Sequence, residues 1–178
     1  MPRSTPIMLS FEILREEHYS FERALKVLNK FILINNFTFR FFSDFFFALC
    51  ELLTAHLKKE KILLAHLAAE TNGQEDALSL FFETTLLDQM IRNEMSAAKE
   101  SLLKNEMGDF SQHLEEFILS FSRHIFYQEE GIFARESSLS EKTDQKVAKL
   151  FDNCHQPPQG KRLWDTFLFL LQEMERMV

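Results

Sequence analysis

His18, His56, Glu60 and His124 are the residues of this chain best suited to chemistry. Each falls on or beside an apolar stripe of helical spacing, where an imidazole or a carboxylate is costly unless something compensates it. His56 and Glu60 stand one helical turn apart on one face. A single helix can thus offer a nitrogen and a bridging oxygen to one centre. His124 repeats the arrangement far downstream, followed by Gln128 and Glu129. Gln128 aligns with the stripe but is neutral. Glu129 is rotated from His124 by about 140° and needs its full length to reach the same cavity. Glu94 is a further carboxylate in a stripe, that of the third helical segment.

Several such groups from different helices suggest a metal held inside a bundle. The donor set is nitrogen and oxygen, without thiolate. It suits iron, zinc or manganese, with geometry rather than affinity deciding among them. Carboxylates on opposed helices favour two metals close together, and iron is the usual occupant of such sites. His66, His113 and His155 are read as non-ligands. Tyr19 and Tyr127 are placed at the surface, and the seven methionines in packing.

The elements that must position these groups are helices. Four Gly and four Pro in 178 residues leave few breaks. The first helix is expected from about Phe11 to Ile34, with Ser10 as its N-cap and a stripe of Leu14, His18, Phe21, Leu25 and Leu28. The second runs from about Thr38 to Glu70, ending before Thr71-Asn72-Gly73. The third runs from about Asp76 to Met107, with Gly108 as its stop and a stripe through Leu87, Met90 or Ile91, Glu94 and Leu102. The fourth runs from about Phe110 to Arg135, capped by Asp109 or Ser111. Long helices joined by short turns predict an all-α, up-down-up-down four-helix bundle over residues 1–136. Residues 137–178 form a C-terminal helical extension that packs on the bundle or on a partner subunit.

Composition narrows the function. A formal charge of -7 and the lack of a basic patch argue against nucleic acid. The apolar stretch from Phe31 to Leu53 is broken by Asn35, Asn36, Arg40, Asp44 and Glu51, so a membrane span of ~20 apolar residues is not expected. Glu12, Arg15, Glu16 and Glu17 follow the N-terminus too closely for a signal-peptide core. Cys50 and Cys154 are too few for a disulfide framework, and the chain reads as cytoplasmic. Phenylalanine is abundant, 20 of 178, with seven between Phe37 and Phe47. Core packing is the plainer reading, and a homodimer contact is the other. No phosphate loop, nucleophile elbow or nucleophile-base pair stands out.

The motifs carry a resemblance. Leu14-Arg15-Glu16-Glu17-His18, His56-Leu57-Lys58-Lys59-Glu60-Lys61-Ile62-Leu63-Leu64, and His124-Ile125 through Glu129-Glu130 to Ile132-Phe133 resemble the hemerythrin family, in its bacterial hemerythrin-like (HHE cation-binding) branch. The similarity covers residues 10–136. It implies a non-haem di-iron centre in a four-helix bundle, with His18, His56 and His124 as iron ligands and Glu60 bridging. It also implies binding or sensing of oxygen, nitric oxide or redox state.

The chain departs from that pattern. Glu94 stands where the third helix of the family carries a ligand histidine, Gln128 replaces a carboxylate, and Ala55 stands where many relatives have another histidine. Glu129 is the candidate to replace the second carboxylate. A carboxylate-richer di-iron site, a single-metal site and a metal-free interaction module are all compatible with these changes.

Overall fold

The computed structural model describes residues 9–34, 39–71, 75–154 and 159–178. Among them there is no strand. The long helices are α1 (Leu9–Ile34), α2 (Phe39–Glu70), α3 (Glu75–Lys104) and α4 (Met107–Tyr127). Each packs on two neighbours: α1 on α2 and α4, and α3 on the same two. The four form a ring around a shared core, as the amphipathic stripes require.

The ends of the helices are where expectation and structure part. The third helix stops at Lys104, before Gly108. Asn105 takes the left-handed conformation, with φ 61°. Its amide donates to Leu102 O at 3.2 Å, and the Glu106 amide donates to Ser101 O at 2.9 Å. That pair of bonds is the Schellman ending, and asparagine is the residue other than glycine that most readily supplies it. Gly108 lies inside α4. Neither Asp109 nor Ser111 caps α4. Glu106 flanks its start without a side-chain cap bond, and Ser111 Oγ turns back onto Met107 O.

Ser10 lies within α1 rather than ahead of it. The N-terminal amides of α1 are served from a distance: Asp144 accepts from the amides of Leu9 at 2.7 Å and Ser10 at 3.0 Å, and from Ser10 Oγ. A carboxylate there also complements the positive end of the helix. The expected bounds Thr38, Asn72 and Gly73 lie outside the described residues, as does His155.

After Tyr127 the α-helical winding changes. Gln128–Ile132 form one π-helical turn, closed by Phe133 N–H donating to Gln128 O. Phe133–Ser138 tighten into 3-10 geometry. α5 (Glu141–Phe151) starts at Ser140, whose hydroxyl accepts from the Thr143 amide at 3.3 Å. α6 (Gln159–Met177) is the last helix. Both α5 and α6 lie against α1 and α2, so this face of the bundle is covered from within the chain.

Two apolar layers fill the interior. One gathers Phe21, Phe42, Phe45, Phe46, Phe110 and Phe117, with Phe167 and Leu171 of α6. The Phe-rich segment is largely core: Phe46 meets Phe110 edge-on at 5.6 Å and Phe117 at 6.2 Å, and Phe45 stacks on Phe167 at 5.7 Å. Among its described phenylalanines, Phe41 is the one left exposed. The second layer gathers Phe11, Leu14, Leu63, Leu67, Ile132, Phe133 and Phe151. Between them, on every helix of the ring, the stripe turns polar: His18 on α1, His56 and Glu60 on α2, Asp88 on α3 and His124 on α4.

Candidate metal centre

Glu60 is the hub of that polar layer. Its Oε1 lies 2.8 Å from His56 Nε2 and 3.3 Å from His18 Nε2. Its Oε2 lies 2.8 Å from His124 Nε2. All four residues are buried. Three imidazoles thus turn the same ring nitrogen toward one carboxylate, and the two oxygens of that carboxylate face different sets. His18 Nε2 and His56 Nε2 are only 3.1 Å apart, a separation at which one must donate to the other or both must share a cation.

The opposite nitrogens face acids. His56 Nδ1 is 2.8 Å from Glu17 Oε2, and Glu17 Oε1 takes an ion pair from buried Lys59. His18 Nδ1 is 3.4 Å from Glu129 Oε1. His124 Nδ1 is 3.6 Å from Asp88 Oδ1, too long for a hydrogen bond. A carboxylate at Nδ1 fixes the tautomer that leaves the Nε2 lone pair free, and it raises the basicity of that nitrogen.

Two groups of three converge closely enough to share an ion. One is His18, His56 and Glu60; the other is Glu60, Asp88 and His124, with ligand atoms in each lying within 4.8 Å of one another. A buried His, Glu and Asp cluster of this kind can hold a metal ion. A second observation fits it. Among the described residues, the buried side-chain atoms with no hydrogen-bond partner are both oxygens of Asp88, Nδ1 of His124 and both amide atoms of Gln128. Lys61 Nζ, 3.6 Å from Asp88 Oδ2, answers part of the Asp88 charge, and a cation or ordered water would answer the remaining atoms.

The electrostatics are those of a strongly coupled cluster. Burial works against the charged form of Glu60, but the imidazoles of His124 and His56 outweigh it and hold the carboxyl well below its ordinary range. Burial also opposes the charge on His56, yet Glu60 and Glu17 raise it to about 9. His18 goes the other way: burial, with the neighbouring His56 charge, lowers it against the pull of Glu60. Asp88 is raised, by burial first and by Glu60. Glu17 is lowered, because His56 and Lys59 outweigh its burial.

The six metal-ligand candidates read from the sequence separate into three cases. His18, His56, Glu60 and His124 meet at the centre. Glu129 reaches its edge: its carboxylate touches His18 Nδ1 but its side chain is 47% exposed. It belongs to neither converging group. Glu94 is not brought to the centre at all. It lies near the surface and pairs with His113 Nδ1 at 2.9 Å. The buried face of α3 runs through Thr84, Asp88, Ile91, Met95, Ala98 and Leu102, one residue out of step with the stripe read through Leu87 and Glu94. Asp88, nearly two turns earlier on α3, supplies the carboxylate that the sequence reading gave to Glu94. The unbroken spacing of Ile91, Met95, Ala98 and Leu102 is the signal that could have found it. Glu17 was also missed as a functional group, because it sits off the stripe beside His18. His66 bonds Ile62 O, and Tyr19 and Tyr127 are exposed.

A groove of about 370 Å³ between α1 and α4 is walled by Glu22, Lys26, Asn29, Ser122, Ile125 and Phe126, with Glu129 also on its lining. Among the described residues no helix is long and apolar enough to cross a membrane. No family model, no curated protein and no solved structure matches this chain.

Proposed function

We propose that this protein holds non-haem iron at a two-position centre bridged by Glu60 and uses it to bind or sense a small diatomic molecule such as oxygen or nitric oxide. The observation that carries the reading is the split of Glu60: one oxygen faces His18 and His56, the other faces His124. Neutral imidazoles leave bound iron positively charged, and carboxylates offset that charge. The hemerythrin-like resemblance of the sequence agrees with such a centre. A reducing cytoplasm, in which ferrous iron and the free thiols Cys50 and Cys154 both persist, is the compartment this reading implies.

A metal-free helical interaction module is the competing reading. One observation favours it: His56 and His124 already satisfy Glu60 at hydrogen-bond distance. The buried Gln128 amide, without a hydrogen bond at either end, weighs against it.

Metal analysis decides. Protein from iron-rich medium, purified without chelator, should carry about two equivalents of iron and absorb in the near ultraviolet after exposure to air. Less than about half an equivalent, with no rise in melting temperature on adding ferrous iron, overturns the proposal in favour of the module.

A further inference from the structure

The two positions at Glu60 are not equivalent. The first has His18, His56 and Glu60, and in each ring the far nitrogen already faces a carboxylate, Glu129 or Glu17. The second has one imidazole, His124, whose far nitrogen makes no hydrogen bond, with Asp88 Oδ1 standing 3.6 Å away. Among the described residues, the buried side-chain atoms that make no hydrogen bond lie on Asp88, His124 and Gln128, with Lys61 Nζ 3.6 Å from Asp88 Oδ2. The disorder of satisfaction is therefore one-sided.

Gln128 is the informative member of that set. It is 1% exposed, so neither its amide oxygen nor its amide nitrogen meets bulk water. It lies one turn after His124, at the point where α4 passes into the π-helical turn. Its own carbonyl is engaged by the Phe133 amide, which pins its backbone. An amide buried with both ends unmatched is costly, so a cation or an ordered water is expected against it. Amide and carboxylate oxygens can ligate hard divalent cations, and the neutral amide is the weakest donor of the set.

Resting on the two-position reading above, we infer that Gln128 and Asp88 join His124 and Glu60 in an oxygen-rich second position, and that the centre fills in two unequal steps. The histidine-rich position fills first. The second takes a hard divalent cation, ferrous or manganous, and holds it more weakly because the Gln128 amide brings no charge.

The test is an oxygen-free equilibrium titration of the chelator-stripped full-length chain with manganous ion, following free metal by its magnetic resonance signal. Wild type should bind in two separable steps. Gln128→Leu should lose the weaker step by about tenfold or more in affinity and keep the tighter one. Gln128→Glu keeps the shape of the side chain and adds a charge, so it should strengthen the second step and draw the two together. Helical content of each variant, by circular dichroism, shows whether it folds; if Gln128→Leu does not, Gln128→Glu decides alone. Two equal steps in wild type, or Gln128 variants that leave the second step unmoved, overturn this inference and spare the two-position reading. No binding by wild type overturns both.

Discussion

The Glu17 carboxylate lies 2.8 Å from His56 Nδ1, on the side of the ring away from Glu60, whose Oε1 lies 2.8 Å from Nε2. His56 is thus held between two acids, one inside the centre and one behind it. The second acid is itself neutralised by Lys59, which is buried with it.

That relay makes a separable prediction. Glu17→Gln should lower metal affinity by about 10- to 100-fold while leaving the number of bound ions unchanged. It should also destabilise the fold by up to ~3 kcal/mol, because it leaves Lys59 buried without its counter-ion. The double variant Glu17→Gln, Lys59→Met should regain most of the stability and none of the affinity. Recovery of affinity in the double variant would assign Glu17 a purely structural role. Denaturant melts and metal titration read the two effects independently.

The pH dependence of the metal-free chain follows from opposed groups. An unfolded histidine titrates near 6.5, and His56 in the folded chain at about 9. Its charged form therefore contributes stability that is complete below pH 6.5 and is lost as pH rises through 9. Glu60 and Glu17 are held below the ordinary 4.5, so their contribution is present above that value and is lost as pH falls beneath it. His18, lowered from 6.5, adds to the acid loss, since it must take up a proton more readily when unfolded. Stripped protein should melt highest between these limits and fall on the alkaline side by pH 9. Metal binding displaces the His56 proton, so affinity should rise with pH up to about 9, with proton release measurable by calorimetry in buffers of different ionisation heat.

The Phe layer should carry a large share of stability. Phe46 is fully buried and meets Phe42, Phe110 and Phe117. Phe46→Ala should cost ~3–5 kcal/mol, through lost burial and the cavity left behind. Chemical denaturation checks it, and a change under about 1 kcal/mol would show that the site collapses around the missing ring.

Asp144 ties the start of α1 to α5. Asp144→Ala removes three acceptor contacts, at the amides of Leu9 and Ser10 and at the Ser10 hydroxyl. The expected loss is ~1–2 kcal/mol. Asp144→Asn keeps part of it, since one amide oxygen still accepts.

Much of this architecture was legible in the sequence, for a physical reason. On α1, α2 and α4 the apolar residues recur so regularly that an imidazole or carboxylate among them is conspicuous, which singled out His18, His56, Glu60 and His124. On α3 the signal is weaker, because large apolar residues also face solvent: Phe82, Leu86 and Met90 are exposed. A stripe drawn through such residues slips by one position: it put Leu87 where Asp88 faces inward and Glu94 where Met95 does, so Glu94 was taken as the buried acid and Asp88 was passed over. The helix ends were harder still. Asn105 rather than Gly108 makes the turn, and a glycine with open space around its Cα shows that composition alone does not locate the left-handed residue. The service of Asp144 to α1 was invisible because it acts across 135 residues of chain.

The lone indole of the chain, Trp164, sits on α6 against the Phe21 ring at 5.9 Å, and the same ring meets His56 at 5.1 Å. A single aromatic ring therefore separates a fluorophore from a proposed iron ligand. Coloured ferric ion at that range should accept excitation from the indole and dim its emission. The protein thus carries its own optical reporter of loading, needing neither label nor engineered probe.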